Sequence, residues 1–178
     1  VKDPAGKVIQ TVKVAQGGTG HPIFIEKVSQ QFDTFAEAIA FGETMEDKDV
    51  RLSISQSLLD PYTTQDICVI PQGTTKNWVI TKRSIGNADG TKCIIGGIRV
   101  EGDSWVNAYD VAIHPTGLAK HVQNGYFGSY PYGVLVTKTT TENCHVTLSN
   151  LDVVACDEFH TNEGTLLAVD YESKAVVL

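Results

Sequence analysis

Glu101 and Asp103 stand two positions apart, so on an extended segment both carboxylates project from one face. Two carboxylates are the minimum for glycoside hydrolysis, and the distance between them divides inverting from retaining chemistry. Gly102 lies between them, and an acidic turn accounts for the same three residues. Asp110, beside Tyr109, is a third candidate acid, and Asp157, Glu158 and His160 form another acidic group. Solvated surface is the competing account of each. The aromatic residues offer a different chemistry. Tyr126, Tyr130 and Tyr132 crowd together with Phe127, Gly125, Gly128 and Pro131, and Trp105 and Tyr109 precede them. Sugars pack their C–H faces on such rings, and tyrosine hydroxyls bond sugar hydroxyls, so these five residues are candidate glycan contacts. The competing account is that the rings pack a loop onto its scaffold or onto another subunit.

Other chemistries lack their residues. Cys68, Cys93, Cys144 and Cys156 form no CxxC pair, and no histidine stands at zinc-finger spacing from two of them. No spacing of Asp and Asn converges on a calcium site, so neither a metal nor a cofactor is expected. Most of the cysteines lie inside apolar runs such as Ile67-Cys68-Val69-Ile70, which reads as buried thiols rather than disulfides. The turn Gln16-Gly17-Gly18-Thr19-Gly20 lacks the Lys-Ser/Thr ending of a phosphate-binding loop. A net charge of −7, with only Arg51, Arg83 and Arg99 as scattered guanidinium groups, argues against nucleic acid. No run approaches the roughly 20 apolar residues needed to span a bilayer, so no membrane insertion is expected. The start, Val1-Lys2-Asp3-Pro4, reads as a cut within a longer protein.

The elements that must position these residues are mostly short strands. Residues 1–20 read as a lead-in, with a strand over Val8 to Val14 before the glycine-rich turn. Residues 21–178 read as one domain. A strand at Ile23–Val28 precedes a helix near 33–45, which Asp33 or Thr34 caps, with Glu37 completing a capping box for Thr34. Phe35, Ala38, Ile39 and Met45 supply its apolar stripe, and Gly42 loosens or ends it. From Asp49 onward, apolar and polar residues alternate in short β-branched runs. They cover Val50–Ile54, Ile67–Ile70, Trp78–Thr81, Cys93–Val100, Trp105–Ile113, Gly133–Thr137, Cys144–Leu148, Leu151–Val154 and Leu166–Val169. Cys68 and Cys93 recur in similar surroundings, which suggests stacked coils. Asn150 reads as a corner that tolerates left-handed backbone. Residues 114–132 form an irregular insertion, suited to a binding loop or to a compact β-domain of another kind.

Two stretches resemble a known family. Gln16-Gly17-Gly18-Thr19-Gly20 resembles the Asn/Gln-Gly-Gly-Thr-Gly element of bacteriophage tail fibres. Phe32-Asp33-Thr34-Phe35-Ala36-Glu37-Ala38-Ile39, followed by Val50-Arg51-Leu52-Ser53-Ile54, resembles the entry of right-handed parallel β-helices of the pectate-lyase-like class, the fold of many tailspikes. The resemblance covers about residues 14–55 by motif. It implies an all-β chain forming a right-handed parallel β-helix behind a capping helix, with a compact β-sandwich-like tail-fibre domain as the alternative. It also implies a virion module that attaches to a bacterial surface receptor, a polysaccharide, or alternatively a depolymerase cutting capsule or O-antigen. A non-viral β-helical carbohydrate-active enzyme is a third possibility. The partners implied are two further copies in a homotrimer and other tail or baseplate proteins. The location implied is the virion tail, assembled in the host bacterial cytoplasm.

Overall fold

Alternation at Val50, Leu52 and Ile54 against Arg51 and Ser53 demands a strand with one face inward, and this segment is β3 (Asp49–Ile54). A computed structural model describes residues 21–58, 67–83, 92–113, 132–137, 145–153, 165–169 and 176–177. The lead-in 1–20, with its expected strand, lies outside them, as does nearly all of the 114–132 insertion. Before β3 come β1 (Ile23–Ile25), a 3-10 turn at Glu26–Val28, β2 (Gln30–Phe32) and the helix α1 (Phe35–Thr44). The single strand expected over Ile23–Val28 is thus the first arm of an antiparallel hairpin, which Ser29 closes with φ of 54°.

After β3 the chain forms β4 (Ile67–Ile70), β5 (Asn77–Lys82), β6 (Cys93–Ile95), β7 (Gly97–Glu101), β8 (Trp105–Tyr109) and β9 (Val111–Ile113). It continues with β10 (Tyr132–Thr137), β11 (His145–Ser149), β12 (Asp152–Val153), β13 (Thr165–Val169) and β14 (Val176–Val177). The fold is all-β, with one α-helix among the described residues. That helix is neither long nor apolar enough to cross a membrane.

Three sheets result, ordered β14-β11-β8-β5-β3-β1-β2, β13-β10-β7-β4 and β12-β9-β6, and none closes on itself. β3 pairs antiparallel with β1, whereas among the described residues every pairing between β3 and the later strands, and among those strands, is parallel. From β5 the chain visits the three-stranded, four-stranded and seven-stranded sheets in a fixed rotation. The two longest apolar runs are each split by this route. Cys93–Val100 divides at Gly96 into β6 and β7, and Trp105–Ile113 divides at Asp110 into β8 and β9, with the halves on different sheets. A continuous apolar run conceals such a break, because both halves bury side chains. The cysteine near-repeat is also not the register: Cys68 pairs with Ile98, whereas Cys93 pairs with Val111 on another sheet.

Pairing in register lines up like residues. Val50, Trp78, Val106 and Val146 form one inward row of the long sheet, and Leu52, Ile80, Ala108 and Leu148 the next. Cys68, Ile98 and Val134, then Ile70, Val100 and Val136, form matching rows on the four-stranded sheet. All are buried. The helix α1 packs against β1, β2 and β4, at the end of the sheets where the chain enters, and buries Phe35, Ala38 and Ile39. Thr34 caps it: the hydroxyl accepts from the Glu37 N–H and the Glu37 carboxylate accepts from the Thr34 N–H.

Gly42 does not end the helix. It sits in the third turn, where a methyl group would stand 2.5 Å from Cη2 of the fully buried Trp78 ring. Gly42→Ala is therefore expected to lower stability despite the roughly 1 kcal/mol that alanine gains in a helix, because overpacking costs about 1–3 kcal/mol. Phe35→Ala, a buried large-to-small change, is expected to cost about 3–5 kcal/mol. Urea denaturation of both variants checks the pair, and a stabilised Gly42→Ala would show that the indole does not bear on the helix.

Candidate functional site

The pleat of β8 sends Val106 and Ala108 into the core and turns Trp105, Asn107 and Tyr109 to the outer face of the long sheet. The flanking strands contribute to the same face: Asp49 and Arg51 from β3, Asn77 and Val79 from β5, His145 and Thr147 from β11. Trp105 is 54% exposed, the most open large apolar side chain among the described residues. Its row mates Asp49, Asn77 and His145 are polar, so no apolar neighbour in the sheet covers it. The His145 imidazole stacks beside the indole, with ring centroids 3.9 Å apart and planes 33° from parallel. At the other end of β8 the Arg51 guanidinium carbon lies 5.9 Å from the centre of the Tyr109 ring. Asn77 donates to the Asp49 carboxylate at 2.7 Å. Four residues of strand rise separate Trp105 from Tyr109 by about 13 Å. The result is a strip with an aromatic ring at each end, exposed at Trp105 and half-buried at Tyr109, whose row mates Ser53 and Thr81 are buried.

The acids are arranged differently. Glu101 pairs with Nη2 of Arg99 at 2.5 Å, and its side chain is only 16% exposed. Gly102 follows at φ 77°, and its N–H donates to the Thr137 carbonyl at 2.8 Å. A Cβ on Gly102 would lie 2.9 Å from Cγ of Gln72, so only glycine fits this corner between β7 and β8. The Ser104 hydroxyl donates to the Glu101 carbonyl at 3.4 Å across it. Glu101 and Asp103 therefore flank a tightly packed turn. Asp110 sits at the opposite end of β8, and about 13 Å of strand separates it from them, beyond the roughly 5–9.5 Å between the carboxyls of glycosidase pairs.

Asp110 has a structural place of its own. It turns the chain from β8 into β9 at φ 58°, and Asn150, at φ 49°, makes the corresponding turn between β11 and β12. Asn150 Nδ2 donates to the Asp110 carboxylate at 2.6 Å, while Asn150 Oδ1 accepts from Lys92 Nζ at 3.0 Å. Lys92 also pairs with Asp152 at 2.8 Å. The left-handed corner expected at Asn150 is present, and a second such corner lies beside it at Asp110.

Cys68 and Cys93 are free and buried. Burial pushes the Cys68 thiol far above its ordinary range, which leaves it an inert apolar side chain. Among the described residues no group of His, Cys, Asp and Glu converges as a metal site. Tyr126 and Tyr130 lie outside the described residues, as do Cys144 and Cys156; Tyr132 opens β10. Of the five candidate glycan contacts, Trp105 and Tyr109 share one face. The sequence pattern places His145 toward solvent, as observed, but not its stacking on Trp105, which lies on a different strand.

The stacked corners generate a test. Alanine at position 150 loses the side-chain bonds to Asp110 and Lys92 and takes on left-handed strain of about 1–2 kcal/mol, whereas glycine loses only the bonds. Asn150→Ala is therefore expected to unfold at lower denaturant concentration than Asn150→Gly. Equal midpoints would mean that the backbone angle contributes nothing. In comparison with known proteins, no family model, no curated protein and no solved structure matches the chain.

Proposed function

We propose that the chain is an adhesion module of a phage tail fibre or tailspike that holds bacterial surface polysaccharide on the outer face of its long sheet. The observation that carries the reading is Trp105. An indole left 54% exposed on a rigid strand, stacked with His145 and surrounded by side chains that donate and accept hydrogen bonds, has the composition of a sugar platform. Burying such a ring against a ligand removes apolar surface that the fold itself leaves in water.

In this reading the three sheets are the walls of a right-handed parallel β-helix. The parallel pairing from β3 onward and the fixed rotation among the sheets support it, and α1 serves as the cap at the entry end. Homotrimeric assembly, a place on the virion tail and contacts with other tail or baseplate proteins belong to the same proposal. Binding without cleavage is the reading the carboxylates favour, since Glu101 is held by Arg99 and Asp110 by Asn150.

The test is an array of purified capsular and O-antigen polysaccharides probed with the protein and with Trp105→Ala. The variant is expected to lose at least tenfold in affinity, about 1.4 kcal/mol, on whichever polymer the protein binds, with an unchanged melting temperature. Binding that survives Trp105→Ala would remove this face as the site. New reducing ends released from a bound polymer would make the module an enzyme instead.

A further inference from the structure

The charges on the platform distinguish its two ends. Asp49, Arg51 and His145 are the side chains able to carry charge near neutral pH on the described outer-face strands around β8, and Asp49 is engaged by Asn77. The chain has three arginines. Arg83 is paired with Glu26 at 3.3 Å and Arg99 with Glu101 at 2.5 Å, both on partly buried side chains. Arg51 is exposed, and among the described residues no carboxylate pairs with it. Its guanidinium is instead held beside the Tyr109 ring. In a chain of net charge −7, the open cation therefore stands next to an aromatic ring on the same face as Trp105.

A guanidinium has two parallel N–H donors spaced for the two oxygens of a carboxylate, and an adjacent ring limits the orientations it samples. Held over the tyrosine ring, it can receive the carboxylate of an acidic sugar by a fork of hydrogen bonds. We propose that the platform takes an anionic oligosaccharide, with a neutral ring on Trp105 and a uronate-type carboxylate received by Arg51 at the Tyr109 end. This rests on the platform reading above and adds the ligand class to it. The length of β8 between the two anchors requires a ligand longer than one sugar ring. Asn107, midway between them and exposed, faces its centre.

The experiment uses the same polysaccharide array, with every acidic polymer printed both native and carboxyl-reduced, so that each –COO⁻ becomes –CH2OH and nothing else changes. The expected result is that bound polymers are uronate-bearing and lose at least tenfold on reduction. Raising NaCl from 50 to 500 mM should weaken the native forms and leave the reduced ones unchanged. Arg51→Gln should abolish the preference for the native form while leaving residual binding of the reduced form. Arg51→Lys, which keeps the charge and loses the fork, should fall between. Equal binding of native and reduced polymers, still dependent on Trp105, would overturn the acidic-ligand inference and leave the platform intact. Binding indifferent to Trp105→Ala, or no binding to any polymer, would overturn both. Arg51 is exposed, so melting temperatures should match across the variants, and a fall in Arg51→Gln alone would assign the residue to stability instead.

Discussion

Parallel backbone pairing holds residues from distant parts of the chain at the same height, and the rest of the structure follows from that register. Asp49, Asn77, Trp105 and His145 are partners in turn, as are Val50, Trp78, Val106 and Val146 one position later. Because side chains alternate between faces, the second row is entirely inward and the first entirely outward. Each buried Val, Leu or Ile contributes about 1.5–3 kcal/mol by leaving water, and a slip of one residue would expose whole rows at once. The core thereby enforces the register, and the register sets the outer row. His145 meets Trp105 only because Val146 must sit on Val106.

The ends and corners of the stack require special solutions. At the entry end Trp78 is too large for its row unless the helix above it yields space, which Gly42 provides. The indole N–H donates to the Thr74 hydroxyl, which in turn donates to the Glu43 carboxylate at the end of α1. Lys76, nearly buried, donates its ammonium to the carbonyls of Met45 and Asp47 just past the helix, tying down the chain between α1 and β3. At the corners the chain must turn within one or two residues. Gly102 does so with positive φ and no side chain, while Asp110 and Asn150 do so with short polar side chains that bond each other.

These requirements account for the acids. Glu101, Asp103 and Asp110 stand where strands end, and strands end where the chain turns between sheets. Glu101 and Asp110 are engaged in pairs that hold those turns. The outer face of β8 has no such duty. Trp105 and Asn107 stand exposed on it, while Tyr109 is half-buried beside the Asp110 corner.

What the sequence determined by itself is what depends on residues within a few positions of one another. The Thr34–Glu37 capping box, the stripe of Phe35, Ala38 and Ile39, the strand of β3 with Val50, Leu52 and Ile54 inward, the left-handed corner at Asn150 and the buried thiol of Cys68 are all local, and each is present, although Ser53 of β3 is buried as well. Tertiary structure decided everything that required knowing a partner. The breaks at Gly96 and Asp110 were concealed because the strands on both sides are apolar, and their assignment to different sheets depends on which earlier strands they meet. The hairpin of β1 and β2 was concealed because the polar, exposed β2 has little apolar pattern of its own. Gly42 looked like a helix end because its reason, the ring of Trp78, arrives from another element. Trp105 and Tyr109 were visible as aromatic residues, but their common face with Arg51 and His145 was not. Alternation along a strand gives the direction of a side chain, and only pairing between strands decides what stands beside it.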